Sequence, residues 1–170
     1  DKSISHRALI CNALARGEAA VTGFLPSEDC LHTLLCLQQL GVAIEREGTS
    51  LHLVSPGRKR LRPAQGVLDC GNSGTSIRLL AGLAASIDGE TVLDGDASLR
   101  LRPMDRVLQP LAEMGVEVTG SGDRTRAPIT VRGGVLRPFR GRMRVPSAQV
   151  KSAILLAAVA AVGPSRIEEI

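Results

Sequence analysis

The chain has 170 residues, of which 44% are hydrophobic and 22% charged, and its formal net charge is +4. These values are ordinary for a globular protein and exclude a disordered or fibrous chain. Because Phe24 and Phe139 are the only aromatic residues, the core must be aliphatic, and the chain lacks the stacking platforms on which proteins bind single-stranded nucleic acid.

Residues 1–66 form the first of three stretches that share an order of features, and this repetition predicts related structural units. Apolar residues at helical spacing predict the first helix, while Ser27 and Gly41 suit the N-cap and the C-terminal end of the second. The predicted elements are a helix over 5–14, a strand over 20–23, a helix over 27–40, and a hairpin of strands over 42–46 and 50–54.

The second stretch, 67–141, predicts a complete βαβαββ unit, whereas the third, 142–170, predicts an incomplete one. The second contains a strand over 67–69, a helix over 74–85, a strand over 91–93, a helix over 103–114, and strands over 116–119 and 129–131. The third contains a strand over 143–145, a helix over 148–162 and a strand over 166–169. The sequence therefore predicts an α+β fold of α/β-type repeats, with about two units and part of a third, and we expect an internal fragment of a longer chain.

Small polar residues and cations stand at the start of the first helix in each stretch. Three of the 21 basic residues are lysines and the remainder arginines, whose guanidinium groups bind carboxylates and phosphates in bidentate fashion. Helix N-termini also attract anions through their free N–H groups and dipole. We therefore expect anion binding at the helix starts over 2–7, 69–75 and 145–152. The alternative is that the leading serines are plain N-caps: Ser3, Ser73 and Ser147.

The loop over 94–104 holds Arg100 and Arg102 directly before a predicted helix, an arrangement that suits anion capture; a solvent-facing loop is the alternative. The four cysteines and three histidines lack the spacing of a metal site, so we expect no metal and reduced thiols, as in a cytoplasmic protein. No apolar run is long enough to span a membrane. Residue spacing identifies no general base.

Four motifs, taken in order along the chain, resemble the 5-enolpyruvylshikimate-3-phosphate (EPSP) synthase family: 2–9, 71–75 with Arg78, 102–104, and 146–153. The resemblance implies transfer of the enolpyruvyl group from phosphoenolpyruvate to the 5-hydroxyl of shikimate 3-phosphate, with release of phosphate, on the shikimate pathway to chorismate and the aromatic amino acids. It implies a cytoplasmic enzyme without a cofactor. It also implies a pseudo-threefold domain of three units, with the active site in the cleft against a second domain of the same parent chain.

The resemblance also implies roles for particular residues, with Lys2 as the catalytic residue that contacts both substrates. Shikimate 3-phosphate would be bound by Lys2, Ser3, Arg7, Ser147, Ala148 and Gln149. Phosphoenolpyruvate would be bound by Lys2, Gly74, Arg102 and Gln149, with Asn72 and Thr75 in support. Many family members have serine at the position of Ala148, so a contact there must come from the backbone. Gly74 matches the form associated with glyphosate sensitivity, while solvation and ligand contact both stay open for Lys151.

Two other functions compete with this interpretation. A related enolpyruvyl transferase that acts on UDP-N-acetylglucosamine typically carries a reactive cysteine in the loop before an Arg-Pro pair, and 94–102 contains none. A basic α/β module could bind structured RNA, but the scarcity of aromatic residues and the low charge disfavour it. We therefore expect small anionic substrates as partners, and neither nucleic acid nor a membrane.

Overall fold

A computed structural model describes residues 1–122 and 125–170 of the chain. The helices are α1 (Lys2–Leu14), α2 (Glu28–Gln39), α3 (Gly74–Ala84), α4 (Ala97–Arg100), α5 (Asp105–Glu113) and α6 (Ala148–Ala158). The strands are β1 (Arg16–Val21), β2 (Ala43–Glu47), β3 (Ser50–Pro56), β4 (Leu68–Asp69), β5 (Gly89–Asp94), β6 (Glu117–Ser121), β7 (Arg126–Gly133), β8 (Arg140–Arg142) and β9 (Arg166–Glu168). This mixture of helix and sheet confirms the predicted α+β class.

The strands form three small sheets drawn from successive stretches of chain. The first has the order β1-β3-β2 and is antiparallel throughout, so that Ala19 and Ile44 both lie opposite Leu53. In the second, of order β4-β5-β7-β6, β4 and β5 run parallel and the other pairs antiparallel. The third pairs β8 with β9 in parallel. The division into units at 66/67 and 141/142 stays a prediction.

The helices pack on one another between these sheets and bury an aliphatic core. Helix α3 packs against α6 and α5, while α1 packs against α2 and β3. Leu9, Leu37 and Leu80 are fully buried, and the lone rings of Phe24 and Phe139 lie inside as well. No helix within the described ranges is long and apolar enough to cross a membrane.

The first helix begins earlier than predicted, at Lys2 instead of residue 5. The carboxylate of Asp1 is the N-cap, because its Oδ1 accepts a hydrogen bond from the N–H of Ile4 at 3.0 Å. Ser3 therefore lies within the first turn and is not a cap. Ser27 does occupy the N-cap position of α2, as predicted, but its side chain makes no capping hydrogen bond.

Three other predictions differ from the structure. The loop over 94–104 contains the short helix α4, which Asp96 caps by accepting from the N–H of Leu99 at 2.8 Å. The strand predicted over 143–145 is wrong: the pairing with β9 falls on β8, and the chain then turns into α6. Helix α6 ends at Ala158 instead of 162, because the N–H of Val162 donates to the carbonyl oxygen of Leu136 at 2.9 Å.

Candidate functional site

The N-terminal ends of α3 and α6 carry side-chain caps, the role that the sequence analysis gave as the alternative to anion binding. The hydroxyl oxygen of Ser73 accepts from the N–H of Ser76 at 3.0 Å, and that of Ser147 accepts from the N–H of Val150 at 3.4 Å. Each cap satisfies one of the free N–H groups of its helix and leaves the others available to an anion. Both hydroxyls thus act as caps, the plainer of the two predicted roles.

Two guanidinium groups converge over the first residue of α3. A Cβ atom added to Gly74 would lie 2.7 Å from one terminal nitrogen of Arg78 and 2.9 Å from one of Arg102. Burial lowers the pKa of Arg78, and the charges of Arg102 and Arg106 lower it further. Among the described residues, no carboxylate lies within 4.0 Å of Arg78 or Arg102. The spot above Gly74 is therefore strongly positive.

Gln149 connects the starts of α3 and α6. Its carbonyl oxygen accepts from a terminal nitrogen of Arg78 at 2.8 Å, and its amide nitrogen donates to the Thr75 hydroxyl at 2.9 Å. The same Arg78 nitrogen donates to the backbone carbonyl of Gly74 at 3.1 Å. These bonds hold the guanidinium in place without neutralising it, which is the arrangement of a preorganised anion site.

Lys2 forms an ion pair with Asp29 in the first turn of α2. Its Nζ donates to Asp29 Oδ2 at 2.9 Å, and the carboxylate raises the pKa of the ammonium through this bond and its charge. The backbone carbonyl of Asp29 accepts from the hydroxyl of Ser76 in α3 at 3.1 Å. The pair is thereby tied to the helix whose N-terminus carries Gly74.

A cavity of about 190 Å³ is lined by residues of α1, α3 and α6. Its lining consists of Ser3, Arg7, Thr75, Leu79, Ala148, Gln149 and Ser152. In the part of the chain that the structure describes, the guanidinium of Arg7 has no carboxylate within 4.0 Å. Hydroxyls, an amide and an unpaired cation together suit a polyhydroxylated anion.

The two arginines of the loop before α5 differ in what they contact. Arg100 forms a bidentate pair with Asp94, with nitrogen–oxygen distances of 3.0 and 2.6 Å, so its charge is neutralised. Arg102 donates to the side-chain carbonyl of Asn72, whose amide in turn donates to Asp96 at 3.0 Å. Asn72 therefore holds the Arg102 side chain through a neutral amide, and no carboxylate of the described residues pairs with this guanidinium.

The structure brings most of the predicted residues together and adds three that sequence reasoning missed. Ser3, Arg7, Thr75, Ala148 and Gln149 share the cavity, and Arg102 lies over Gly74 with Asn72 in support. The missed residues are Asp29, which pairs with Lys2; Arg78, which follows the motif over 71–75 but had no predicted role; and Ser152, which lines the cavity. Helical periodicity offered a signal for Arg78 and Ser152, since each lies one turn after a predicted site residue.

Lys151 lies on the same helix as Gln149 but contacts a different element. Its Nζ pairs with Glu169 Oε1 at 2.7 Å, so the surface role is the one that the structure supports. All four cysteines are free: Cys11 is exposed, and Cys30, Cys36 and Cys70 are buried. Within residues 1–122 and 125–170, no group of three or more His, Cys, Asp or Glu side chains could hold a metal ion.

The chain matches a family model along its whole length and resembles curated proteins strongly. Residues 1–170 match the model described as EPSP synthase (3-phosphoshikimate 1-carboxyvinyltransferase). A 3-phosphoshikimate 1-carboxyvinyltransferase from Herpetosiphon aurantiacus is 47% identical over 98% of this chain and 39% of its own length. One from a Roseiflexus species is 50% identical over 94% of this chain and 37% of its own length. The chain thus spans about two fifths of the length of these relatives.

Solved structures agree with this similarity. The EPSP synthase from Acinetobacter baumannii matches with a TM-score of 0.96 and 40% identity, over 99% of this chain and 38% of that one. The enolpyruvyl transferase NikO from Streptomyces tendae matches with a TM-score of 0.64 and 19% identity, over 98% of this chain and 38% of that one. At that lower identity the second match concerns the fold alone.

Proposed function

This chain belongs to the EPSP synthase family, and we propose that its residues form one part of a site that transfers the enolpyruvyl group from phosphoenolpyruvate to the 5-hydroxyl of shikimate 3-phosphate. The observation that carries the proposal is the convergence of Arg78 and Arg102 over the start of α3 at Gly74, where neither has a carboxylate partner among residues 1–122 and 125–170. Both substrates carry phosphate and carboxylate groups, and the reaction releases phosphate. A cluster of cations therefore attracts each of these anions.

Phosphoenolpyruvate would bind beside Gly74, where the absence of a side chain lets the guanidinium groups of Arg78 and Arg102 approach the start of α3. The guanidinium of Arg102 would take its phosphate or carboxylate in bidentate fashion. Gln149 has one N–H beyond the bond to Thr75 and can donate it to the same ligand. Asn72 and Thr75 support these two side chains through the hydrogen bonds described above.

Shikimate 3-phosphate would occupy the adjoining cavity between α1, α3 and α6. Arg7 supplies a cation that pairs with no carboxylate in the described part of the chain, and the hydroxyls of Ser3 and Ser147 supply donors for phosphate or sugar-like oxygens. The Ser147 oxygen already accepts from the backbone, which leaves its own proton free to donate. Ala148 would contribute its backbone N–H at the start of α6.

Lys2 would act as the protonated group that both substrates share. The carboxylate of Asp29 favours the ammonium form, so this side chain keeps its positive charge beside the anionic groups of the substrates. In the described part of the chain, Asp29 pairs with Lys2, and Asp96 accepts from the amide of Asn72. We therefore assign the acceptor of the hydroxyl proton to the remaining length that the relatives possess.

The same proposal includes the larger architecture. Residues 1–66, 67–141 and 142–170 would be related units of one domain, and a second domain of the parent chain would close the site. Support comes from the three sheets of successive chain stretches and from the equivalent caps Ser73 and Ser147. Four free cysteines suit a cytoplasmic location.

Substitution of Lys2 and Arg102 tests the proposed activity. In the intact parent protein, Lys2→Ala and Arg102→Ala should each lower kcat/KM by about a hundredfold or more, because each removes a charge aimed at the reacting anion. Lys59→Ala and Arg132→Ala are matched controls that remove charge at exposed positions outside the site. Unchanged turnover in either site variant would overturn the assignment.

A binding measurement separates this proposal from RNA recognition. A protein that binds RNA through its phosphates loses affinity steeply as salt rises. We expect filter binding to retain little RNA at about 0.15 M salt, and shikimate 3-phosphate to bind under the same conditions. Strong, salt-dependent RNA retention that shikimate 3-phosphate leaves unchanged would contradict the enzymatic function.

A further inference from the structure

A buried chain of hydrogen bonds runs beneath the site and crosses three helices. It starts at His6 in α1, whose Nδ1 lies 2.8 Å from the Thr33 hydroxyl in α2. The Thr33 oxygen lies 2.7 Å from the hydroxyl of Ser76 in α3, which lies 2.7 Å from the hydroxyl of the N-cap Ser73. All four side chains are fully buried, each at 0% exposure.

The donor and acceptor of each of these hydrogen bonds follow from the group at which the series ends. The Ser76 hydroxyl lies 3.1 Å from the backbone carbonyl of Asp29, which can only accept, so Ser76 donates to it. Thr33 must then donate to Ser76, and the Nδ1–H of His6 must donate to Thr33. The Ser76 hydroxyl also faces the Ser73 oxygen as a donor at 2.7 Å, so its one proton is shared between that oxygen and the Asp29 carbonyl and is not available to Thr33.

The surroundings of the second ring nitrogen, Nε2, also indicate that the proton of His6 lies on Nδ1. The Nε2 atom of His6 is buried and has no hydrogen-bond partner among the described residues. The opposite direction would put the ring proton on Nε2 and leave a buried N–H unsatisfied, in addition to depriving the Asp29 carbonyl of its donor. Burial lowers the pKa of His6, which favours the neutral ring.

We propose that His6 is a positioning residue, a neutral imidazole protonated on Nδ1 that acts through Thr33 and Ser76 to set Asp29, and with it Lys2, against the start of α3. The inference rests on the proposed function, since Lys2 is the residue that it serves. The last hydrogen bond of the series ends on Asp29, which pairs with Lys2, and a branch from Ser76 ends on Ser73, the N-cap beside Gly74. The series of hydrogen bonds therefore connects Lys2 with the start of α3, the two places at which phosphoenolpyruvate is proposed to bind.

The tautomer of His6 is the first test and needs no variant. A long-range ¹H–¹⁵N correlation spectrum of the intact parent protein, labelled at histidine, should show His6 with a protonated Nδ1 and a bare Nε2 near neutral pH. A ring protonated on Nε2, or on both nitrogens, would overturn the proposed direction. This measurement does not depend on the enolpyruvyl transfer. It can therefore show that the hydrogen-bond assignment is wrong even if the proposed function is right, and the reverse.

Removal of the middle hydroxyl is the second test. Thr33→Val keeps the branched shape but breaks the chain, so we expect kcat/KM to fall about tenfold to a hundredfold, mainly through kcat, as Lys2 loses its alignment. The signal of His6 should also lose its single Nδ1-protonated form. Thr33→Ser retains the hydroxyl and should restore both readouts, which keeps the test decisive if the valine variant does not fold.

Thr91 provides a matched control within the same protein. Its side chain is 1% exposed and its hydroxyl has no hydrogen-bond partner in the described structure, so Thr91→Val removes a buried hydroxyl that joins no chain. We expect kcat/KM within twofold of the unsubstituted protein for this variant. Equal losses for Thr33→Val and Thr91→Val, or activity that survives Thr33→Val, would overturn the positioning role.

Discussion

Gly74 lies at the point where the site is most crowded and most positive. The guanidinium groups of Arg78 and Arg102 already approach the place that a side chain would take, at 2.7 and 2.9 Å from an added Cβ. Such distances are shorter than carbon–nitrogen contacts allow, so even a methyl group must push these flexible cations aside. The position therefore requires glycine because of the two guanidinium groups that approach it, and not because of the conformation of the helix.

Gly74→Ala should consequently weaken phosphoenolpyruvate binding more than shikimate 3-phosphate binding. We expect the KM for phosphoenolpyruvate to rise about tenfold or more, equivalent to about 1.4 kcal/mol, and inhibition by glyphosate to weaken in parallel. Steady-state kinetics of the intact parent protein would measure both. Gly66→Ala is the control, because a Cβ there meets nothing within 4 Å. An unchanged KM in the Gly74 variant would contradict the proposed location.

The pair of Asp94 and Arg100 predicts how stability responds to acid. The hydrogen bonds from Arg100 lower the pKa of Asp94, with further support from the N–H of Gly95. A carboxyl group whose pKa is depressed in the folded state adds stability above its unfolded value of about 3.9, and this contribution disappears as pH falls through the folded pKa. Stability should therefore drop as the pH is lowered below about 4.

Arg100→Gln tests this acid response. Without the guanidinium, the pKa of Asp94 returns toward its ordinary value, and the free energy of unfolding should change less between about pH 6 and pH 3. Urea unfolding at several pH values would measure the difference. Parallel pH profiles for the two proteins would show that the pair contributes nothing measurable.

At the scale of elements, two serines at helix starts have different energetic roles. Ser147 caps α6 with its hydroxyl, so Ser147→Ala should lower the free energy of unfolding by about 1 kcal/mol. Ser27 stands at the same position of α2 without a capping bond, and Ser27→Ala should change stability by a few tenths of a kcal/mol at most. Urea titration of both variants would compare them, and equal losses would contradict the distinction.

The element boundaries separate local signals from tertiary ones. Helices α2 and α3 begin and end close to the predictions, because caps, glycine and apolar periodicity are local properties. Helix α6 stops early and β8 is displaced because backbone groups elsewhere, in Leu136 and in β9, pair with these residues. Pairing partners so distant in sequence leave no trace in the local pattern.

At the scale of the whole molecule, the distribution of charges predicts what residues 1–170 do alone. The site supplies cations and hydroxyls, but in the described part of the chain Asp29 is paired with Lys2 and Asp96 accepts from Asn72. We therefore expect the isolated chain to bind shikimate 3-phosphate weakly, with affinity that falls as salt rises, and to form no product. Calorimetry and mass spectrometry of the reaction mixture would measure these two outcomes. Any enolpyruvyl transfer by residues 1–170 would refute the assignment of a missing proton acceptor.

The order of motifs along the chain was enough to predict the fold class and the starts of α2, α3 and α6, whereas the roles of the site residues stay a prediction. Glycine turns, serine caps and clustered arginines have physical meanings that depend on neighbouring residues, so they can be recognised from the sequence alone. Whether an arginine pairs with a carboxylate of the described residues, as Arg100 does and Arg102 does not, depends on the direction in which each side chain leaves the loop. The bond between Lys2 and Asp29 and the buried chain from His6 to Ser76 also required the tertiary structure, because the packing of helices brings together groups that the sequence separates by dozens of residues.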